Sequence, residues 1–266
     1  MEAEKIIKMI NNNPSVIKTI DNPTDEMKLL AIKKNGLLLE YIENPTIKMQ
    51  ELAIENNARA IKYIENPSEK MMLKAINDGW TILELIKNPT QKVMEMAIDK
   101  AGWAIQYIKN PSEKLQLLAV KKNYDSLKYI KEPYESVQIE GIKISYDALR
   151  YIENPNHNAE ILAIKNNEAA IRFINDLDTE KMIEFLKVNI LVIKYIANKI
   201  SREELENVLK ETLSKEDVEE KYVRDFLNCK SIDTNNNISM DKTMFIYKYG
   251  SKKAKKIAVD EKLKMI

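Results

Sequence analysis

The chain has 266 residues, 42 basic and 41 acidic, with a net charge of +1 and 44% apolar residues, which is enough for a large core. One Cys and one His exclude a disulfide framework, a Cys-rich zinc or iron–sulfur centre and any two-histidine metal motif. Only five glycines occur, and no GxGxxG or GxxxxGK run, so no phosphate-cradling loop is present. The expectation is therefore a non-enzymatic chain with no cofactor, no metal and no catalytic residues. Near-zero net charge argues against a binder that relies on charge alone.

From the N-terminus, Met1-Glu2-Ala3-Glu4-Lys5 carries early acids and no long apolar run follows. A signal peptide is not expected. Apolar stretches fall far below the roughly 20 residues that span a bilayer. A reducing, cytoplasmic setting without a membrane fits the single Cys. Heavy use of Lys, Ile and Asn fits an AT-rich bacterial or phage genome.

Proline then organises the chain. Pro23, Pro45, Pro67, Pro89, Pro111, Pro133 and Pro155 stand 22 residues apart, and only Pro14 is out of step. Eight units span residues 1–176, and a ninth without its proline covers 177–198, ending Ile193-Lys194-Tyr195-Ile196. A fixed period of this kind is the signature of a solenoid.

Each unit reads as two short helices. Asn followed by Pro suits an N-cap and first helical position, and Asn66-Pro67-Ser68-Glu69 has capping-box spacing. The first helix should end near Asn or Gly (Asn35-Gly36, Asn57, Gly79, Gly102, Asn123) in a left-handed stop. About seven residues of second helix come next, closing on Tyr-Ile.

At 100° per residue, the first helix points a small residue inward: Ala31, Ala53, Ala75, Ala97, Ala119, Gly141, Ala163. The second turns in Leu39, Ile61, Leu83, Ile105, Leu127, Leu149 and Ile171 with the Ile three residues on. Neither helix is long enough to stand alone. The predicted fold is all-α: a two-layer α-solenoid of nine 22-residue helix-turn-helix repeats over 1–198, with a helical C-terminal cap and basic tail over 199–266.

The pattern Leu117-Leu118-Ala119 … Leu127-Lys128-Tyr129-Ile130, with Asn110-Pro111 before it, resembles the leucine-rich repeat variant family, whose units alternate an α-helix with a short tight helix. It is also similar to an uncharacterised family of short helical repeats in bacterial and phage proteins. The resemblance covers residues 1 to about 198. It implies a fold and supplies no catalytic residues. The period of 22 is shorter than that of the variant repeats, and their cysteine cluster is absent.

Beyond the repeats, Ser201-Arg202-Glu203-Glu204 and Ser214-Lys215-Glu216-Asp217 look like two helix starts, and 201–225 carries nine acids against five bases. Residues 228–239 read as a loop containing Cys229. The tail then turns basic, with seven lysines from Lys248 to Lys264 against Asp260 and Glu261. It reads as a cap with a solvated surface, or as a segment that meets a partner or folds back on the acidic helices.

Four candidate features remain. The row Tyr41, Tyr63, Tyr107, Tyr129, Tyr151, Phe173 and Tyr195 serves inter-repeat packing or grips a peptide. Trp80, Trp103, Tyr124 and Tyr146 break the consensus at the internal turn of four successive units, where others have Gly36, Ala58 or Glu168. Their alternatives are turn packing and an interface anchor. The bases Lys128, Arg150, Arg172 and Lys194 on the second helix, and Lys121, Lys143, Lys165 and Lys187 on the first, make the late repeats positive. His157 and Cys229 read as incidental.

The leading functional expectation is an adaptor, scaffold or inhibitor of a partner protein. It would bind through Trp80, Trp103, Tyr124, Tyr146, Lys128, Arg150, Arg172 and Lys194. The alternative is nucleic-acid binding through Lys121, Lys143, Lys165, Lys252, Lys253, Lys255 and Lys256.

Overall fold

In a computed structural model that describes residues 2–235 and 237–264, the chain is helical, with no strand among the described residues. It divides into two compact units, Met1–Val137 and Gln138–Ile266. Within each, an α-helix of eight to eleven residues alternates with a tighter 3-10 segment. Examples are Asp25–Lys34 with Gly36–Tyr41, Glu69–Ile76 with Trp80–Leu85, and His157–Asn166 with Glu168–Phe173. Inside a unit, helix packs on the next helix and 3-10 segment on the next 3-10 segment, in chain order.

The Asn-Pro pair precedes the α-helix instead of starting it. The cap is the hydroxyl after the proline: Thr24, Thr46 and Ser68 accept from the backbone N–H of Met27, Met49 and Met71 at 3.4, 3.3 and 3.3 Å. The capping box expected at Asn66 and Glu69 is thereby replaced. Where the residue before proline is left-handed, it cannot take the extended backbone of an N-cap. Asn22, Asn44, Asn110 and Asp176 sit at φ of 52°, 48°, 48° and 51°, a left-handed conformation that Asn and Asp tolerate best.

The helix exit also differs from the expected left-handed stop. Asn35 and Asn57 are extended, at φ −151° and −152°, and each caps the 3-10 segment after it. Their side chains accept from Leu37 N and Arg59 N at 3.1 and 3.0 Å.

In the first eight repeats the second segment is a 3-10 helix of six residues, not the α-helix that periodicity predicts; in the ninth, Ile190–Val192 is 3-10 and runs into the α-helical turn Ile193–Ile196. So short an α-helix closes few bonds, whereas i and i+3 eclipse in a 3-10 turn. This geometry puts Leu39 beneath Ile42 and buries one further residue in each repeat after the first: Leu38, Ala60, Ile82, Ala104, Ser126, Ala148, Ala170 and Val192. The inward row of Ala31, Ala53, Ala75, Ala97, Ala119 and Ala163 is fully buried as expected.

Beyond the repeats, Ser201 caps Arg202–Leu213 with a complete capping box to Glu204. Ser214 ends that helix and starts no other; the next is Glu220–Asn228. Residues 228–239 are not one continuous loop, since Asn228 ends a helix and Lys230–Thr234 is helical, and Cys229 between them is 2% exposed; Asn236 lies outside the described residues. The basic tail forms two helices, Lys242–Tyr249 and Lys252–Leu263. The second packs on Glu220–Asn228, where Glu261 pairs with Arg224 and accepts from Asn228 Nδ2 at 2.9 Å. Among the described residues no helix is long and apolar enough to cross a membrane.

Candidate functional site

Most 3-10 segments place a polar or charged residue next to an aromatic one, the first exposed and the second at the margin of the core. In the unit Gln138–Ile266, Arg150 lies 5.4 Å from the Tyr151 ring centre and 5.9 Å from that of Phe173, one repeat later. Arg172 lies 5.8 Å from Tyr195. Lys194 turns instead to Glu168, at 2.8 Å. A cleft of about 360 Å³ opens beside this row, lined by Arg150, Tyr151, Glu153, Phe173 and Asn175 with Leu149 and Ile152.

The unit Met1–Val137 repeats the arrangement. Lys18 stands 4.0 Å over Tyr41, and Lys62 4.6 Å over Tyr63. Lys128 lies 4.9 Å from Tyr129 and 5.9 Å from Trp103. Burial acts to lower the Lys128 pKa, but the adjacent Tyr129 and Asp125 outweigh it and raise the value. Next to Tyr129, a cleft of about 690 Å³ is lined by the Asn110-Pro111 and Glu132-Pro133 turns with Gln116, Lys131 and Tyr134 among others. Gln116 is buried and braces that wall, donating to Pro111 O at 3.1 Å and accepting from Tyr134 N at 3.3 Å.

The four consensus-breaking aromatics are all half-buried. Trp80 meets Tyr107 with ring centres 6.0 Å apart. Trp103 is one register position off the other three, because Gly102 holds the place equivalent to Trp80. Its indole N–H donates to Asp125 at 2.8 Å. Sequence reasoning passes over Asp125; the one signal for it is a spacing of one full repeat from Trp103.

The bases on the α-helix face are less available. Lys165 pairs with Glu219 at 3.0 Å and Lys187 with Glu211 at 2.6 Å, so acids of the C-terminal segment engage these two of the four. Lys121 and Lys143 are exposed, as are Lys252, Lys253, Lys255 and Lys256 on the last helix. His157 Nε2 is 2.9 Å from Glu184. Among the described residues no three His, Cys, Asp or Glu side chains converge to hold a metal ion. Comparison with protein-family models, curated proteins and solved structures returns no match.

Proposed function

We propose that the chain is an α-solenoid of nine 22-residue repeats with a helical cap, a cytoplasmic adaptor, scaffold or inhibitor that docks an acidic partner protein without catalysis. The observation that carries this reading is the recurrence of exposed bases over aromatic rings: Lys128 with Trp103 and Tyr129, Arg150 with Tyr151 and Phe173, Arg172 with Tyr195. An exposed cation–aromatic pair contributes only about 0.5–1 kcal/mol to a fold. Arg, Tyr and Trp are the residues that anchor interfaces, and here they stand beside open clefts. Within the unit Gln138–Ile266 the period sets Arg150 and Arg172 one packed layer apart, roughly 8–10 Å. An extended acidic segment matches that interval about every third residue.

Affinity purification from native cells tests it, with Arg150→Ala/Arg172→Ala and Trp80→Ala/Trp103→Ala beside the parent chain. Loss of a recovered partner in the arginine variant is the expected result. Unchanged recovery in both variants overturns the assignment of this face.

The exposed lysines of Lys252–Leu263 favour a second reading, contact with nucleic acid. A phosphate-driven complex weakens linearly in log–log salt titration. Absence of oligonucleotide binding at low salt removes it.

A further inference from the structure

The two C-terminal helices leave apolar surface that the core does not use. Lys242–Tyr249 buries Phe245 and Ile246, and Lys252–Leu263 buries Ala254, Ile257 and Ala258. On the opposite side, Met244, Tyr247, Val259 and Leu263 are 60, 72, 57 and 64% exposed. Met244 and Tyr247 are three apart on one helix, and Val259 and Leu263 four apart on the other, so each helix presents an apolar ridge. Between the ridges runs a groove of about 150 Å³ lined by Thr243, Ile246, Tyr247, Ala258 and Val259, with Lys255 and Lys262 beside them.

The charged side chains that line the groove, Lys255 and Lys262, are both positive. Lys252, Lys255, Lys256 and Lys262 are exposed along the same helix, with Asp260 the exposed acid among them. Glu261, the carboxylate nearest in sequence to Lys262, is turned to Arg224 and Asn228. Lys255 holds its ammonium 5.9 Å from the Tyr247 ring, at the edge of the groove.

We propose that this groove is a second docking site, and that it takes the apolar face of an acidic amphipathic helix from a partner protein. Two helix ridges with a furrow between them accept a third helix by ordinary ridge-into-groove packing. Carboxylates flanking the apolar stripe of that helix would meet the lysines along the rim. The site is independent of the bases and rings on the 3-10 segments.

The test uses the full chain and two fluorescein-labelled model helices about 18 residues long. Both carry Leu on one face; one has Glu and the other Lys on the opposite face. Fluorescence anisotropy should show the acidic helix binding at least about tenfold tighter at low salt. Tyr247→Ser/Val259→Ser should weaken it by about tenfold or more, and Lys255→Glu/Lys262→Glu should reverse the preference. Both pairs are surface positions, and circular dichroism checks that the helices persist. Arg150→Ala/Arg172→Ala should leave the binding unchanged, which separates this site from the first. Equal affinity for the two helices, or indifference to the groove variants, overturns the proposal. So does a result in which the groove variants abolish only binding to phosphatidylglycerol vesicles or only self-association in sedimentation, since the occupant is then a lipid surface or a second copy.

Discussion

Trp103 and Asp125 stand 22 positions apart and are joined by an indole N–H to carboxylate hydrogen bond of 2.8 Å. The bond ties one repeat to the next through their 3-10 segments. Asp125 also lies 3.5 Å from Lys128, which in turn faces the Trp103 ring. Asp125→Ala therefore strips two partners at once and leaves a half-buried indole N–H unsatisfied. The expected loss is about 1 kcal/mol, read from urea denaturation. In a double-mutant cycle with Trp103→Phe, the two changes should be coupled by about 0.5–1.5 kcal/mol. Strict additivity would show that the bond contributes nothing.

Much of the architecture is legible because one unit recurs. The inward alanines and the exposed bases follow directly from register, and Ala31 and Lys33 fall where periodicity puts them. The local chemistry is harder to read. Asn22 looks like a cap, but its backbone is left-handed and the cap is Thr24. The change from α to 3-10 geometry is hidden as well, because Leu39 and Ile42 are an inward pair in either helix. Only the burial of Leu38 separates them. The candidate site is legible by residue type and not by arrangement. Arg150 and Phe173 meet across repeats, a contact that depends on the stacking distance. The pairing of Lys165 cannot be foreseen, since Lys165 and Glu219 lie far apart in sequence.

The glycines give a contrast that sequence alone would miss. Gly36 and Gly102 read as turn residues, yet neither has positive φ. A Cβ on either would lie 2.3 Å from the carbonyl oxygen of Ala53 or Ala119 in the next repeat. Gly79 has φ 172°, ordinary extended backbone, and its nearest neighbour is Thr81 Oγ1 at 3.9 Å. Gly36→Ala and Gly102→Ala should each destabilise by about 1–3 kcal/mol through forced backbone shifts. Gly79→Ala should be neutral or stabilising by up to about 1 kcal/mol, through the unfolded chain. Thermal denaturation ranks them. Equal effects at the three positions would discount the close approach.

The Glu168–Lys194 pair carries a pH signature. Burial pushes the Glu168 carboxyl up, but hydrogen bonds from Lys194 and its own backbone N–H pull it below the usual carboxylate range. The Lys194 ammonium is raised by the hydrogen bond to Glu168 against an opposing effect of burial. The contribution of Glu168 is present above its unfolded pKa, about 4.3, and is lost as pH falls through the lower folded value. That of Lys194 is fully present below about 10.4 and is lost as pH rises through the higher folded value. With both groups partly solvated, the pair stabilises by less than about 1 kcal/mol. Glu168→Gln should therefore lower the urea midpoint at pH 7 and make no difference near pH 2. A difference that persists in acid would assign the effect to packing.

The acidic C-terminal helices should govern how the α-helix face meets polyanions. Glu219 holds Lys165 at 3.0 Å and Glu211 holds Lys187 at 2.6 Å, and the Lys187 hydrogen bond brings the Glu211 carboxyl below its ordinary range. Both cations are thereby engaged. Glu211→Gln/Glu219→Gln keeps the side-chain volume and removes the charge, which frees two ammonium groups for phosphate. Each phosphate neutralised adds about 0.9 to the slope of log affinity against log salt. The variant should thus bind duplex DNA more tightly at low salt, with a slope steeper by about 1.8 for two added contacts. Salt titration by fluorescence anisotropy reads both quantities. If affinity and slope match those of the parent chain, the carboxylates do not mask this row, and its lysines must be counted as already available to a partner.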